Sequence, residues 1–222
     1  MATVTLALLH LLSMASALTL PPLPDISSAD ALLASHGVSG AANWLIPGYV
    51  MVGANPTKGR GSATSRVIQL CDGGCATFVS LQEEMPPADA PNFPPHLETY
   101  ADDVIAVSTS TPAFVHMPIE DLRPAPSMAW LVDSVDELAS RVHSGECLYV
   151  HCFAGRGRTG LVACCLLGAL YNGVDAEEAL ERVSAYYKLR ASFVANARAS
   201  DGMSPETAPQ RQQVRDYFAS RS

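Results

Sequence analysis

Apolar positions along the chain fall into short runs and helical stripes, punctuated by turn residues. Ser28 stands where it would cap a short helix, Ala29 to Ser35, ended by Gly37. Asn43 to Ile46 and Tyr49 to Val52 read as two short strands around a Pro47-Gly48 turn. Ser62 to Cys71 is helix-like and stops at Gly73-Gly74; Ala76 to Leu81 then reads as a buried strand. Residues 86–95 hold five prolines and predict a loop. Val104 to Val107 and Ala113 to Met117 are short apolar runs, the second a strand. Behind Ser127, Met128, Leu131, Val132, Val135 and Leu138 recur at helical spacing, and Gly145 closes that helix. Cys147 to His151 is the next strand. A glycine-rich loop leads into an apolar helix from Thr159 to Tyr171, stopped by Asn172-Gly173. Asp175 with Glu178 opens a helix reaching Leu189 in capping-box fashion, and Gln210 to Ser220 is a final helix.

Strands alternating with helices predict an α/β fold, a central and mostly parallel sheet flanked by helices. The expected organisation is one domain over 41–222 behind an N-terminal extension over 1–40. Pro21, Pro22 and Pro24 set the first segment apart, and residues 200–209 read as a loop rather than a linker. Residues 4–20 are largely apolar, and Ala15-Ser16-Ala17 has the small residues of a cleavage site. Yet no Lys or Arg precedes Lys58, and His10 interrupts the run. A targeting segment and an extension packed on the domain both stay open. No other stretch is apolar for long enough to span a bilayer.

Charge narrows the partners. A chain of 222 residues with net charge -8 gains little from counterion release on nucleic acid, and an anionic membrane surface repels it. An anion site here has to be locally basic. The six cysteines lack the spacing of a secreted disulfide scaffold. Cys164 and Cys165, in the run Leu161 to Leu170, read as core. No Cys/His set has zinc spacing, so neither metal nor other cofactor is expected.

The chemistry concentrates in Val150-His151-Cys152-Phe153-Ala154-Gly155-Arg156-Gly157-Arg158-Thr159-Gly160. A strand enters this loop and a helix leaves it. The helix N-terminus offers unsatisfied N–H groups and partial positive charge to an anion. Gly155 and Gly157 let the loop curl into a nest of N–H groups, and a thiol at such a nest is favoured as its thiolate. Arg158 carries a planar fork suited to two phosphate oxygens. No Gly-Lys-Ser/Thr follows the glycines, so this is not a Walker A loop, and no Gly-x-Ser-x-Gly elbow is present.

His151-Cys152, five residues, then Arg158-Thr159-Gly160 resembles the signature of the protein tyrosine and dual-specificity phosphatase superfamily. His116-Met117-Pro118-Ile119-Glu120-Asp121 resembles the acid loop of its kinase-associated and cell-division-cycle types. Asn43 to Gly48, Thr77 to Leu81, and Ser204-Pro205-Glu206-Thr207 with Gln210 extend the likeness over about residues 43–218.

The resemblance implies the dual-specificity phosphatase fold and a phosphorylated protein as substrate. It implies a two-step reaction through a phosphocysteine. Cys152 is then the nucleophile, and Arg158 with the N–H groups of Phe153, Ala154, Gly155, Arg156 and Gly157 holds the phosphate. Asp121 is the proton donor, with Glu120 the competing carboxylate. Thr159 steadies the leaving thiolate and His151 orients the cysteine.

Arg156 adds a second charge, as a phosphoinositide phosphatase would want. Cys71 or Cys75 is a candidate thiol to cap oxidised Cys152. A phosphate-binding scaffold without catalysis and rhodanese-type sulfur transfer are the readings from other classes. Catalysis by a reduced thiol favours a reducing compartment such as the cytoplasm. Oligomeric state is not written in these motifs.

Overall fold

The computed structural model describes residues 19–57, 63–84, 100–190 and 201–221. Most of the apolar N-terminal run, Ser62 and the proline-rich 86–95 segment lie outside the described residues. The elements are α1 (Ala29–His36), β1 (Ala42–Ile46), β2 (Val50–Ala54), α2 (Ala63–Asp72), β3 (Thr77–Gln82) and α3 (Ala101–Val107). They continue with β4 (Ala113–Ile119), α4 (Met128–His143), β5 (Leu148–Cys152), α5 (Gly157–Leu170), α6 (Ala176–Lys188) and α7 (Ala208–Arg221).

The five strands form one sheet in the order β1-β2-β5-β3-β4. β1 and β2 make an antiparallel hairpin whose turn passes through Gly48 at φ +82°, and every other neighbouring pair is parallel. Parallel pairing puts the C-terminal ends of β2, β5, β3 and β4 along one edge, where α/β sheets place their ligands.

Side chains alternate along β5 and so tie the sheet to two helical layers. Leu148, Val150 and Cys152 face the larger core, shared with Leu131, Leu138, Leu161, Leu166 and Val214 of α4, α5 and α7. Tyr149 faces the smaller core, with Val67 and Leu70 of α2 and Val104 of α3. Side-chain caps start α1, α4 and α6 at Ser28, Ser127 and Asp175, as the sequence predicts. The untyped run Val104 to Val107 is the end of a short helix, with Asp102 and Asp103 in its first turn where the helix dipole favours them. Chain from the N-terminal region packs on this frame. Leu32 of α1 is buried, Tyr171 donates to the Pro21 carbonyl at 2.8 Å, and Arg182 donates to that of Pro24 at 2.6 Å. Among the described residues no helix is long and apolar enough to cross a membrane.

Two local features fix the β5–α5 junction. Gly155 has φ +69°, and a Cβ there would meet backbone atoms of Gly53 and Ala54 at 2.3–2.5 Å. Backbone cannot yield as a side chain can, so only glycine lets the loop lie on β2. His151, 0% exposed, stacks on Tyr149 and accepts at Nε2 from the Tyr100 hydroxyl, 2.5 Å away. Burial holds its imidazole neutral and pushes its pKa down to about 3.

Gly155→Ala therefore adds about 1–2 kcal/mol of left-handed strain to a steric clash; a urea titration should show a lower midpoint by at least that amount. For His151 the unfolded chain binds the extra proton between its ordinary 6.5 and about 3. Stability is complete above pH 6.5 and falls as pH drops through that window. His151→Asn should flatten the fall in urea midpoint between pH 6.5 and 5.5, where carboxylates contribute little.

Candidate active site

Cys152 is the last residue of β5, 2% exposed and in no disulfide. Residues 153–156 turn the chain, and α5 begins at Gly157, two residues ahead of the predicted Thr159. Unlike α1, α4 and α6, α5 has no side-chain cap at its N-terminus. Its first-turn N–H groups are thus left for another acceptor.

The Arg158 side chain is 1% exposed. Its Nη1 and Nη2 donate to the two carboxylate oxygens of Glu84 at 2.7 and 3.0 Å, a bidentate pair. Nη1 also donates to the Ile119 carbonyl at 3.2 Å, and Nη2 lies 2.9 Å from Asp121 Oδ1. One donor is left over: Arg158 Nε is buried without a partner, and so is Thr159 Oγ1. Two unsatisfied buried donors in the helical turn after Cys152 are what a bound oxyanion and a thiolate would satisfy.

Glu84 itself is held in turn. Burial works against its charge, but hydrogen bonds from Arg158 and Gln82 outweigh that and leave its carboxyl below the ordinary value. Gln82 Nε2 donates to Glu84 Oε1 at 3.0 Å, and Asn55 Nδ2 donates to Gln82 Oε1 at 2.9 Å. The Asn55 backbone N–H donates to the Phe153 carbonyl at 3.2 Å. A single hydrogen-bonded chain thus runs from the first loop residue, through Asn55, Gln82 and Glu84, to the Arg158 fork. Asn55 and Gln82 are buried, so the chain is shielded from competing water.

Asp121 sits just past β4, its side chain two-thirds exposed and its carboxylate on Arg158. Glu120 points away, to exposed Arg123 at 3.6 Å. Leu122 next to Asp121 has φ +62°, an uncommon conformation for leucine. α7 and the chain before it hold this turn. Thr207 donates to the Leu122 carbonyl at 3.2 Å, Gln210 to that of Arg123 at 2.9 Å, and Gln213 brackets the Ala125 peptide. Gln210 also lies against Gly157, where a Cβ would come within 3.0 Å of its amide.

The predicted residues separate by role. Cys152, Arg158, Thr159 and Asp121 converge. His151 touches the site from behind, its Nδ1 3.4 Å from the Cys152 carbonyl. The Arg156 side chain does not face the cup as an added charge: it donates to Asp201, Glu206 and the Met203 carbonyl at 2.5, 3.0 and 2.8 Å. Cys71 and Cys75 lie at the other end of the sheet. Cys147, which Cys75 touches, is five residues of extended chain before Cys152, about 16 Å. They cannot cap it.

Four contributors escaped the sequence reading. Glu84, Gln82 and Asn55 stand at or just past strand C-termini, a position that marks α/β sites. Arg190 is buried behind the loop, donating to Gly155 O at 2.6 Å, Asn43 Oδ1 at 2.6 Å and Val52 O at 3.2 Å. Burial lowers its pKa, and no sequence spacing announces it.

Solved structures of other proteins share this fold. Tk-PTP in its active form is 22% identical, with 81% of this chain and 97% of that chain covered at a TM-score of 0.54. Kinase associated phosphatase with its catalytic-site cysteine changed to serine is 20% identical, covering 77% and 87% at 0.55. PTPMT1 in complex with PI(5)P is 19% identical, covering 81% and 95% at 0.55. At these identities the likeness is one of fold. A comparison with curated protein sequences finds no match. The family model described as "Swiss Army Knife protein, DSP-PTPase phosphatase domain" matches residues 40–214, which takes in the whole sheet and both loops. With most of its length inside that match, the chain belongs to this family of DSP-PTPase phosphatase domains, cysteine-based phosphoric monoester hydrolases.

Proposed function

We propose that the protein hydrolyses phosphomonoesters on phosphoproteins, of tyrosine or dual specificity, through a phosphocysteine at Cys152. The observation that carries the reading is the buried Arg158 fork, clamped by Glu84 with its Nε still unsatisfied, at the start of the helix that follows the Cys152 loop. In the first step the Cys152 thiolate attacks phosphorus in line, the bond to the leaving oxygen breaks, and Asp121 supplies that oxygen's proton. Arg158 and the loop N–H groups hold the three equatorial oxygens, where charge accumulates. In the second step Asp121 takes a proton from water, water oxygen bonds to phosphorus, and the sulfur departs as thiolate beside the Thr159 hydroxyl. Asp121 rests on Arg158 through its Oδ1. A phosphate on the guanidinium replaces it there, which couples substrate binding to release of the acid.

The neutralised Arg156 supports a protein substrate over a phosphoinositide. Its charge is matched by Asp201 and Glu206, so the loop offers no second free cation for an additional phosphate. Exposed apolar groups stand beside the site residues instead: Phe153 directly after Cys152, and Leu122 next to Asp121. Such groups suit an aromatic or aliphatic leaving side chain and gain little from a multiply charged headgroup.

Phosphate release from phosphotyrosine peptide, phosphothreonine peptide and phosphoinositide should rank in favour of a peptide, with metal chelated and reductant present. Cys152→Ser should abolish release. A wild type that binds vanadate yet releases nothing from any substrate would replace this reading with a silent phosphate binder. A phosphoinositide ranked first would transfer it to lipid chemistry.

Asp121→Asn should lower kcat about 10²–10⁴-fold and remove one limb of the pH–rate profile. Glu84→Gln removes a charge-assisted pair worth about 1.5–3 kcal/mol, so kcat/KM should fall about 10–100-fold. Gln82→Ala should fall in the same direction by less.

A further inference from the structure

At the end of the sheet opposite the cup, Cys75 and Cys147 bring their sulfurs to 3.5 Å. Cys75 leads into β3 and Cys147 into β5, and the pairing of these strands fixes their approach. The Cys147 carbonyl accepts from the N–H groups of Ala76 and Thr77 at 3.1 and 3.3 Å. Both cysteines are free thiols. A covalent bond needs the sulfurs about 1.5 Å closer, within reach of small side-chain rotations. Cys75 is 3% exposed, yet it borders a surface cavity of about 120 Å³ that Cys71, Gly74, Val107 and Ser108 also line. A small oxidant can therefore reach the pair without unfolding.

We propose that Cys75 and Cys147 form an oxidisable dithiol, a modification site separate from the cup, which a peroxide closes to a disulfide between β3 and β5. The two thiols are chemically unequal. Cys147 is partly exposed, whereas Cys75 is buried with its S–H 3.5 Å from the Leu148 carbonyl. Cys147 is thus the sulfur that reacts first. Its thiolate electron pair attacks a peroxide oxygen, the O–O bond breaks and hydroxide leaves, giving sulfenic acid at Cys147. The Cys75 sulfur then attacks that sulfur. The S–S bond forms, the S–O bond breaks, and the oxygen leaves as water with the Cys75 proton. Cys71 is the neighbour left out: its sulfur is turned to the Ser108 hydroxyl at 3.9 Å, and burial raises its pKa. The bridge would join the starts of the strands whose far ends lead to Glu84 and Cys152, leaving the cup itself unoccupied.

The inference does not depend on the proposed substrate. The full chain carrying Cys152→Ser, which removes the competing thiol, is treated with hydrogen peroxide, digested without reductant and analysed by mass spectrometry. The expected product joins the peptide holding Cys75 to the peptide holding Cys147 and separates on adding dithiothreitol. Cys71→Ser should keep the joined pair, and Cys75→Ser and Cys147→Ser should each lose it. If Cys75→Ser fails to fold, the contrast between Cys71→Ser and Cys147→Ser still decides. Absence of the joined pair in the folded chain overturns the inference. Loss of the pair in Cys71→Ser, or its survival in Cys75→Ser, does so equally.

Discussion

Burial of the Arg158 guanidinium is the constraint around which the site is arranged. A cation at 1% exposure has lost its hydration, which costs several kcal/mol unless fixed partners replace the water. Three groups do so here: the Glu84 carboxylate, the Ile119 carbonyl and the Asp121 carboxylate. They come from the ends of β3 and β4, and Arg158 itself follows β5. The sheet order β5-β3-β4 and its parallel sense bring these ends together. The fold and the site are therefore one requirement. A sheet with β4 elsewhere would leave the cation short of the Ile119 and Asp121 partners.

The loop between Cys152 and Arg158 is held from three sides. Gly155 lies on the Gly53 backbone in front. Arg190 holds the Gly155 carbonyl from behind, and Ser204 donates to the Arg156 carbonyl at 2.8 Å. Every one of these contacts spends a carbonyl or a side chain, never the N–H groups of the helix start. Rigid support that leaves those donors free is the arrangement that anion stabilisation without reorganisation requires. The Asn55–Gln82–Glu84 chain ties the arginine to the same loop.

Much of the fold was legible because its signals are local. Ser28, Ser127 and Asp175 cap the helices they were expected to cap, and the period-two and period-3.6 patterns separate strands from helices. Val104 to Val107 stayed untyped because a four-residue apolar run has no readable period; its helix shows only with Tyr100 and Ala101 in place. α5 starts two residues early, and its N-cap Arg156 makes no side-chain capping bond that would mark the boundary. In the site, the Cys152-to-Arg158 loop was legible from its own spacing, and Asp121 from the resemblance of the segment that holds it. Glu84 and Gln82 were not, because their role comes from strand pairing across 74 and 27 positions. Arg156 was misjudged as an added charge, since its partners Asp201 and Glu206 lie 45 and 50 residues on.

The sequence alone thus determined the α/β alternation, the cysteine-to-arginine loop and Asp121 as the candidate carboxylate ahead of it. These rest on residues adjacent in the chain, where backbone geometry and turn chemistry act directly. Only the tertiary structure decided which carboxylate clamps Arg158 and that Arg156 is neutralised. It also put Cys75 against Cys147 rather than near Cys152. Those outcomes depend on charges and thiols brought together by sheet order, and Coulomb and hydrogen-bond energies act over ångströms in space, not over positions in sequence.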